Sequence, residues 1–179
     1  MFELPESFVI DGSTYPINTD FLTWVEIGEL MGKEKTSENI GKMLLLCFPE
    51  KKMPPLAKTI EEILKFYRRE KNAAENKTKE KKPVFDLVYD FGLVSAAFFS
   101  QYKINLRKDK LHWWLFWELF EGLKSEEKII KVIGYRAADV SKIKNKEEKK
   151  HIKKMQEIYK LPSKKLADDD VGYELSKLF

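Results

Sequence analysis

The sequence predicts a mostly helical protein, built as helical modules with one small β-hairpin at the N-terminus, on three observations. Apolar residues recur at three- and four-residue spacing through most of the chain. Strand-like residues flanking an Asp-Gly pair are confined to positions 7–17. Hydrophobic residues are 43% and aromatic residues 13% of the 179 positions, enough to pack an interior. A chain of this length buries about 70% of its surface, which suffices for one good core or two small ones.

The hairpin reads as Ser7-Phe8-Val9-Ile10, the turn Asp11-Gly12, and Ser13-Thr14-Tyr15-Pro16-Ile17. Asp-Gly supplies the positive φ angles that a tight hairpin turn demands. Pro16 has no N–H to donate, so the second strand is an edge. Two strands alone are marginal and must pack on something, here helices. Asn18, Thr19 and Asp20 are good N-caps for a first helix with Phe21, Trp24, Val25, Gly28 and Met31 on one face. A second helix follows Ser37, with the stripe Ile40, Met43, Leu44, Cys47 and Phe48. Pro49, Pro54 and Pro55 interrupt the chain. A third helix runs from about Thr59, with Ile60, Ile63, Leu64 and Tyr67 inward.

From Arg68 to Lys82 no large hydrophobe occurs, so this stretch reads as a solvated helix extension or a mobile linker. Beyond it, Asp90 is positioned to cap a helix carrying Phe91, Val94, Phe98 and Tyr102. Asp109 is positioned to cap one holding Leu111, Trp113, Trp114, Leu115, Phe116, Trp117, Leu119 and Phe120. That helix is apolar nearly all round and is expected at the centre, with Gly122 as its stop. Ser125 precedes a short helix with Ile129, Ile130, Val132 and Ile133, ended by Gly134. Asn145 with Glu148 resembles a capping box, and Ile152, Met155 and Tyr159 then oppose Lys149, Lys150, Lys153 and Lys154.

The expected organisation is a hairpin with helices over 1–70, a charged linker or helix extension over 71–84, an aromatic-rich helical module over 85–162 and a polar tail over 163–179. Separate modules would let trypsin cut first between Arg68 and Lys82 and leave a stable piece from about Pro83 to Pro162.

Chemistry is sparse. The single cysteine excludes an internal disulfide and a cysteine-based zinc site. Cys47 lies on an apolar stripe and reads as a small core residue. Of the two histidines, His112 sits in the aromatic helix as an interior or lining residue, and His151 sits in a lysine-rich, solvated face. Glu61-Glu62, Glu126-Glu127 and Glu147-Glu148 are sequence neighbours that diverge on a helix and make no acid–base dyad. The glycines are scattered singly, so no phosphate loop exists. No enzyme activity, cofactor or metal is expected. No run reaches membrane-spanning length, and the start Met-Phe-Glu-Leu-Pro lacks a basic segment and apolar signal core, so the cytosol is the expected location.

Two constellations point toward partners. Ile133-Gly134-Tyr135-Arg136 through Lys144 has the outline of a helix-turn-helix, within a segment spanning about 126–144. The simpler reading is a helical corner with Arg136 and Asp139 in local capping bonds, since base-reading Asn, Gln and Arg are lacking. Net charge is only +4 with both signs interleaved, which makes nucleic acid the less favoured partner. The other constellation is the stripe Trp114, Trp117 and Phe120. Either all of it is core, or Trp117 and Phe120 emerge as binding anchors with Trp114 beside them and Lys149, Lys150, Lys153 and Lys154 as a basic rim.

Several motifs together carry a family resemblance. They are the hairpin with Asn18-Thr19-Asp20-Phe21, Phe85-Asp86-Leu87-Val88-Tyr89-Asp90, Ala96-Ala97-Phe98 with Gln101-Tyr102, Leu111-His112-Trp113-Trp114, Ile133-Gly134-Tyr135-Arg136, Ser141-Lys142-Ile143-Lys144 and Met155 through Pro162. Over about residues 1–162 the chain resembles the "gene product fifteen" family of phages infecting Gram-positive bacteria. The resemblance implies a protein of the tail-morphogenesis region, in the place of tail assembly chaperones. It implies the tape-measure protein and tail-tube subunits as partners, self-association of many copies, and absence from the mature virion. It brings no catalytic residues.

Overall fold

The computed structural model of the chain describes residues 3–50, 54–70 and 83–162. Within them the order is β1 (Ser7–Ile10), β2 (Ser13–Pro16), α1 (Phe21–Met31), α2 (Ser37–Cys47), α3 (Leu56–Arg68), α4 (Phe91–Tyr102), α5 (Trp113–Glu121), α6 (Lys128–Ala137) and α7 (Lys146–Ile158). The mostly helical class with an N-terminal hairpin stands. The charged stretch 71–82 and the polar tail 163–179 fall outside the described residues. No helix among the described residues is long and apolar enough to cross a membrane.

Asp11 and Gly12 both take positive φ, 51° and 75°, as a two-residue hairpin turn requires. The resulting register pairs Phe8 with Tyr15 and Ile10 with Ser13. Phe8 and Ile10 thus face inward while Val9 faces solvent. Phe8 meets Phe48 and Phe66 edge-on, at 6.1 and 6.0 Å between centroids. This contact seats the hairpin on α2 and α3.

In α1, Asp20 caps the helix by accepting from the Leu22 N–H. Its buried members are Phe21, Trp24 and Ile27, so Ile27 joins the expected stripe. Gly28 is needed for close approach: a Cβ there would lie 2.5 Å from the Tyr67 hydroxyl of α3. Thr36 caps α2, which buries Met43 and Cys47. Burial pushes the Cys47 thiol up to about 12, so it stays protonated and unreactive at ordinary pH. Helix α3 begins earlier than expected, at Leu56, and stops at Arg68 because Arg69 turns left-handed (φ 57°). A helical rod running on through Glu70 is therefore ruled out.

Several expected boundaries on the C-terminal side are corrected. The Asp109 carboxylate accepts from the Asn105 N–H inside the preceding loop, and α5 is capped by His112 instead. Helix α6 starts after Glu127 rather than at Ser125. It runs through Gly134 to Ala137, because the intact apolar stripe outweighs one helix-weakening glycine. Asp90 occupies the N-cap position of α4 but makes no cap bond, its carboxylate being engaged elsewhere. Asn145 does cap α7, accepting from the N–H groups of Glu147 and Glu148.

The buried residues form one cluster that runs from Phe8 in β1 to Ile133 in α6. The segments read as separate modules share it. Phe21 of α1 stacks on Phe116 of α5 at 4.0 Å, and Tyr67 of α3 stacks on Trp113 at 5.2 Å. An α5 that is apolar on most sides needs covering from both segments. Residues 83–162 alone would leave the rings of Trp113 and Phe116 uncovered, and this fragment is expected to give no cooperative melt in circular dichroism. A chain nicked within 71–82 is expected to elute as one complex. A sharp transition for the isolated fragment would contradict the shared core.

Candidate interaction surface

The start of α5 is where the segments are tied. Leu111 and Trp113 flank a short antiparallel bridge between His112 and Asp20. The Phe21 N–H donates to the Leu111 carbonyl at 2.7 Å, and the Trp113 N–H donates to the Thr19 carbonyl at 2.8 Å. His112 Nδ1 accepts from the Trp114 N–H at 3.0 Å. That assigns the ring proton to Nε2, which donates to the Pro5 carbonyl at 3.0 Å. The two adjacent indoles do one job twice: Trp113 Nε1 donates to the Tyr67 carbonyl at 3.0 Å and Trp114 Nε1 to the Phe66 carbonyl at 2.9 Å. Those carbonyls belong to the last turn of α3, and the Phe66 carbonyl accepts from the Arg69 N–H as well.

This frame decides the sequence-predicted site. Trp117 and Phe120 are completely buried. Trp117 stands edge-on to Trp113 and Phe116 with the Arg69 guanidinium 5.6 Å away, and Phe120 lies 5.0 Å from Phe85. The reading of these two rings as surface anchors is corrected: α5 is enclosed on the side that carries them. Trp114 is half-buried, its indole committed to α3. Lys150, Lys153 and Lys154 are exposed and Lys149 is half-buried. They sit on α7, which packs against α6 through Tyr159 stacked on Tyr135 and the Gln156 amide donating to the Tyr135 and Ala138 carbonyls. They form no rim for rings that reach no surface.

The helix-turn-helix outline also resolves differently. Residues 138–145 form no second short helix but a loop in which Asp139 accepts from the Ser141 N–H and hydroxyl. Arg136 is turned inward, on the buried stripe of Ile129, Val132 and Ile133. It makes a two-pronged ion pair with Asp90, Nη1 to Oδ2 at 2.6 Å and Nη2 to Oδ1 at 2.9 Å. It also donates to the Tyr159 carbonyl at 2.6 Å and the Val84 carbonyl at 3.2 Å. Asp90 is 2% and Arg136 6% exposed by side chain, so the pair is a buried, fully bonded clamp joining α4, α6 and the end of α7. An arginine held this way cannot read a base edge.

The surface that does stand out was missed in the sequence. Helix α4 contains no charged residue from Phe91 to Tyr102. Val94, Ala97 and Phe98 face the core. Opposite them, Gly92, Ala96, Phe99 and Ser100 are exposed at helical spacing, continued backward by Val88 and Tyr89 in the preceding turn. Phe99 is 57%, Tyr89 55% and Val88 48% exposed. Other exposed apolar residues, such as Val9, Leu45 and Leu56, occur singly on separate elements. In a chain that is 35% charged, three uncharged turns on a solvent-facing helix side form a patch of the kind that meets a partner.

The described residues form a helical protein with a ring-filled core and one uncharged, partly exposed helix face. A family model described as Bacteriophage Gp15 protein matches residues 2–161. The chain belongs to this bacteriophage family. No curated protein and no solved structure matches it.

Replacing Trp117 and Phe120 by Ser together is expected to unfold the protein at room temperature. Each large buried ring contributes about 3–5 kcal/mol, a large share of a domain's stability. A melting temperature close to that of the parent would contradict the burial described here.

Proposed function

We propose that this phage protein is a tail assembly chaperone, without catalytic activity or cofactor. It holds the tape-measure protein, and tail-tube subunits with it, during tail morphogenesis in the host cytoplasm and leaves before the virion is complete. The observation that carries the reading is membership of the bacteriophage Gp15 family across residues 2–161. Its resemblance to proteins of the tail-gene cluster supplies the role. The physical features agree with that role. Chaperoning an amphipathic helical client asks for an exposed apolar surface on a soluble, charged body. The α4 face within a chain of 33 basic and 29 acidic residues meets that description. Modest affinity per copy becomes firm holding when many copies line one long client.

Co-expression with the tape-measure protein of the same phage tests this. The expected outcome is a clear rise in the soluble fraction of the tape-measure protein and its co-purification with several copies of this chain. If the client is equally insoluble with and without this chain, the reading fails.

A further inference from the structure

We infer that the outer face of α4 is the docking site for an amphipathic helix of a partner protein, and that Arg107 selects partners carrying carboxylates along one flank of that helix. The inference rests on the chaperone reading for its biological setting and adds the partner's chemistry. The floor of the site is low at its centre, where Gly92, Ala96 and Ser100 follow one another at four-residue spacing. Phe99 and the pair Val88 and Tyr89 stand above it. A Cβ on Gly92 would meet nothing within 4 Å, so the chain's own packing does not require glycine there. A close-approaching helix backbone gives that position a use. The partner would set large apolar side chains, at three- and four-residue spacing, over the small residues and against Phe99.

Charge decides which helix fits. The Arg107 guanidinium lies 4.8 Å over the Phe91 ring and donates a long 3.4 Å bond to the Ser95 hydroxyl. Phe91 and Ser95 mark one border of the exposed face, so Arg107 runs along that border. Among the described residues it pairs with no carboxylate, although the protein has 29 of them. Lys103, Lys108 and Lys110 are exposed in the loop that follows α4, where residues 103–112 include one acidic residue, Asp109, whose carboxylate accepts from the Asn105 N–H. An uncharged face with Arg107 along one border and three exposed lysines in the adjoining loop is complementary to an apolar stripe flanked by Glu or Asp. The α4 face of a second copy fits less well, because Phe91–Tyr102 carries no charged residue and so brings no carboxylate to these cations.

Two synthetic peptides of roughly 15 residues, about four helical turns, test this. Both carry leucines at three- and four-residue spacing. One has glutamates along the flank and the other lysines. Binding to the full chain is followed by fluorescence anisotropy at low salt and in 0.5 M salt (a level at which screening is strong, about 4 Å by the usual scaling). The glutamate peptide is expected to bind and the lysine peptide to bind about tenfold more weakly or not at all. Phe99→Asp or Ala96→Arg should lower affinity by about tenfold or more, as loss of a central anchor does. Arg107→Glu should invert the preference between the peptides. The melting temperature of each variant is expected to stay near that of the parent, since these side chains are solvent-facing. Equal binding of both peptides, or indifference to Phe99→Asp and Arg107→Glu, overturns the inference. So does a concentration-dependent dimer, seen by sedimentation, that Phe99→Asp abolishes, because the face would then belong to a second copy. Co-expression of the Phe99→Asp variant separates the two levels. If the parent solubilises the tape-measure protein and the variant does so equally well, only the α4 assignment falls. If the parent itself fails, the chaperone reading falls whatever the peptides do.

Discussion

The structure depends on four consecutive residues, Leu111 to Trp114, which tie three N-terminal pieces to one helix. The Leu111 carbonyl and Trp113 N–H pair with the start of α1, the His112 ring spans from its own helix to Pro5, and the two indoles close the end of α3. Each of these groups is a backbone or ring polar atom that would otherwise be left without a partner as the core closes, which is costly. The same contacts bring Phe21, Tyr67 and Phe116 into register around Trp113. Placement of the hairpin and of α1, α3 and α5 follows from this seam.

A second constraint governs the other end. Arg136 occupies a position that the apolar stripe of α6 would give to a hydrophobe, and Asp90 occupies the cap position of α4. Burying both charges is tolerable only because each is bonded on several sides. The pair fixes α6 across the start of α4 and holds the last turn of α7, which buries no residue of its own. With the inner side of α4 fastened in this way, its outer side is presented as an uncharged surface. Seam and clamp together turn a charged chain into a scaffold that holds one helix outward.

Much of this was legible in the amino acids. Asp11-Gly12 announced the hairpin, and Pro16 its edge. The stripes of α2 and α5 marked their buried sides, and Cys47 fell where a small core residue belongs. What was not legible were the long-range polar partners. Nothing local to Asp90 distinguishes a helix cap from an ion-pair partner 46 residues away, and the stripe around Arg136 only hints that a carboxylate must exist somewhere. The aromatic stripe of α5 was ambiguous for a related reason. Ring density indicates that a helix is covered, but which segment covers it is a tertiary fact. The uncharged run from Phe91 to Tyr102 was visible and informative, yet the outward half of a helix looks like more core until the opposite half is seen packed.

The central claim is that the two halves of the chain form one cooperative unit joined at the α1–α5 seam. Native-state amide hydrogen exchange at Phe21 and Trp113 tests it most directly, because their N–H groups are the two backbone donors that join α1 to α5. The account predicts that both exchange only through global unfolding, with the same free energy and the same denaturant dependence as the central α5 amide of Trp117. If Phe21 and Trp113 exchange through a smaller opening that leaves Trp117 protected, the halves are separable and the account is wrong.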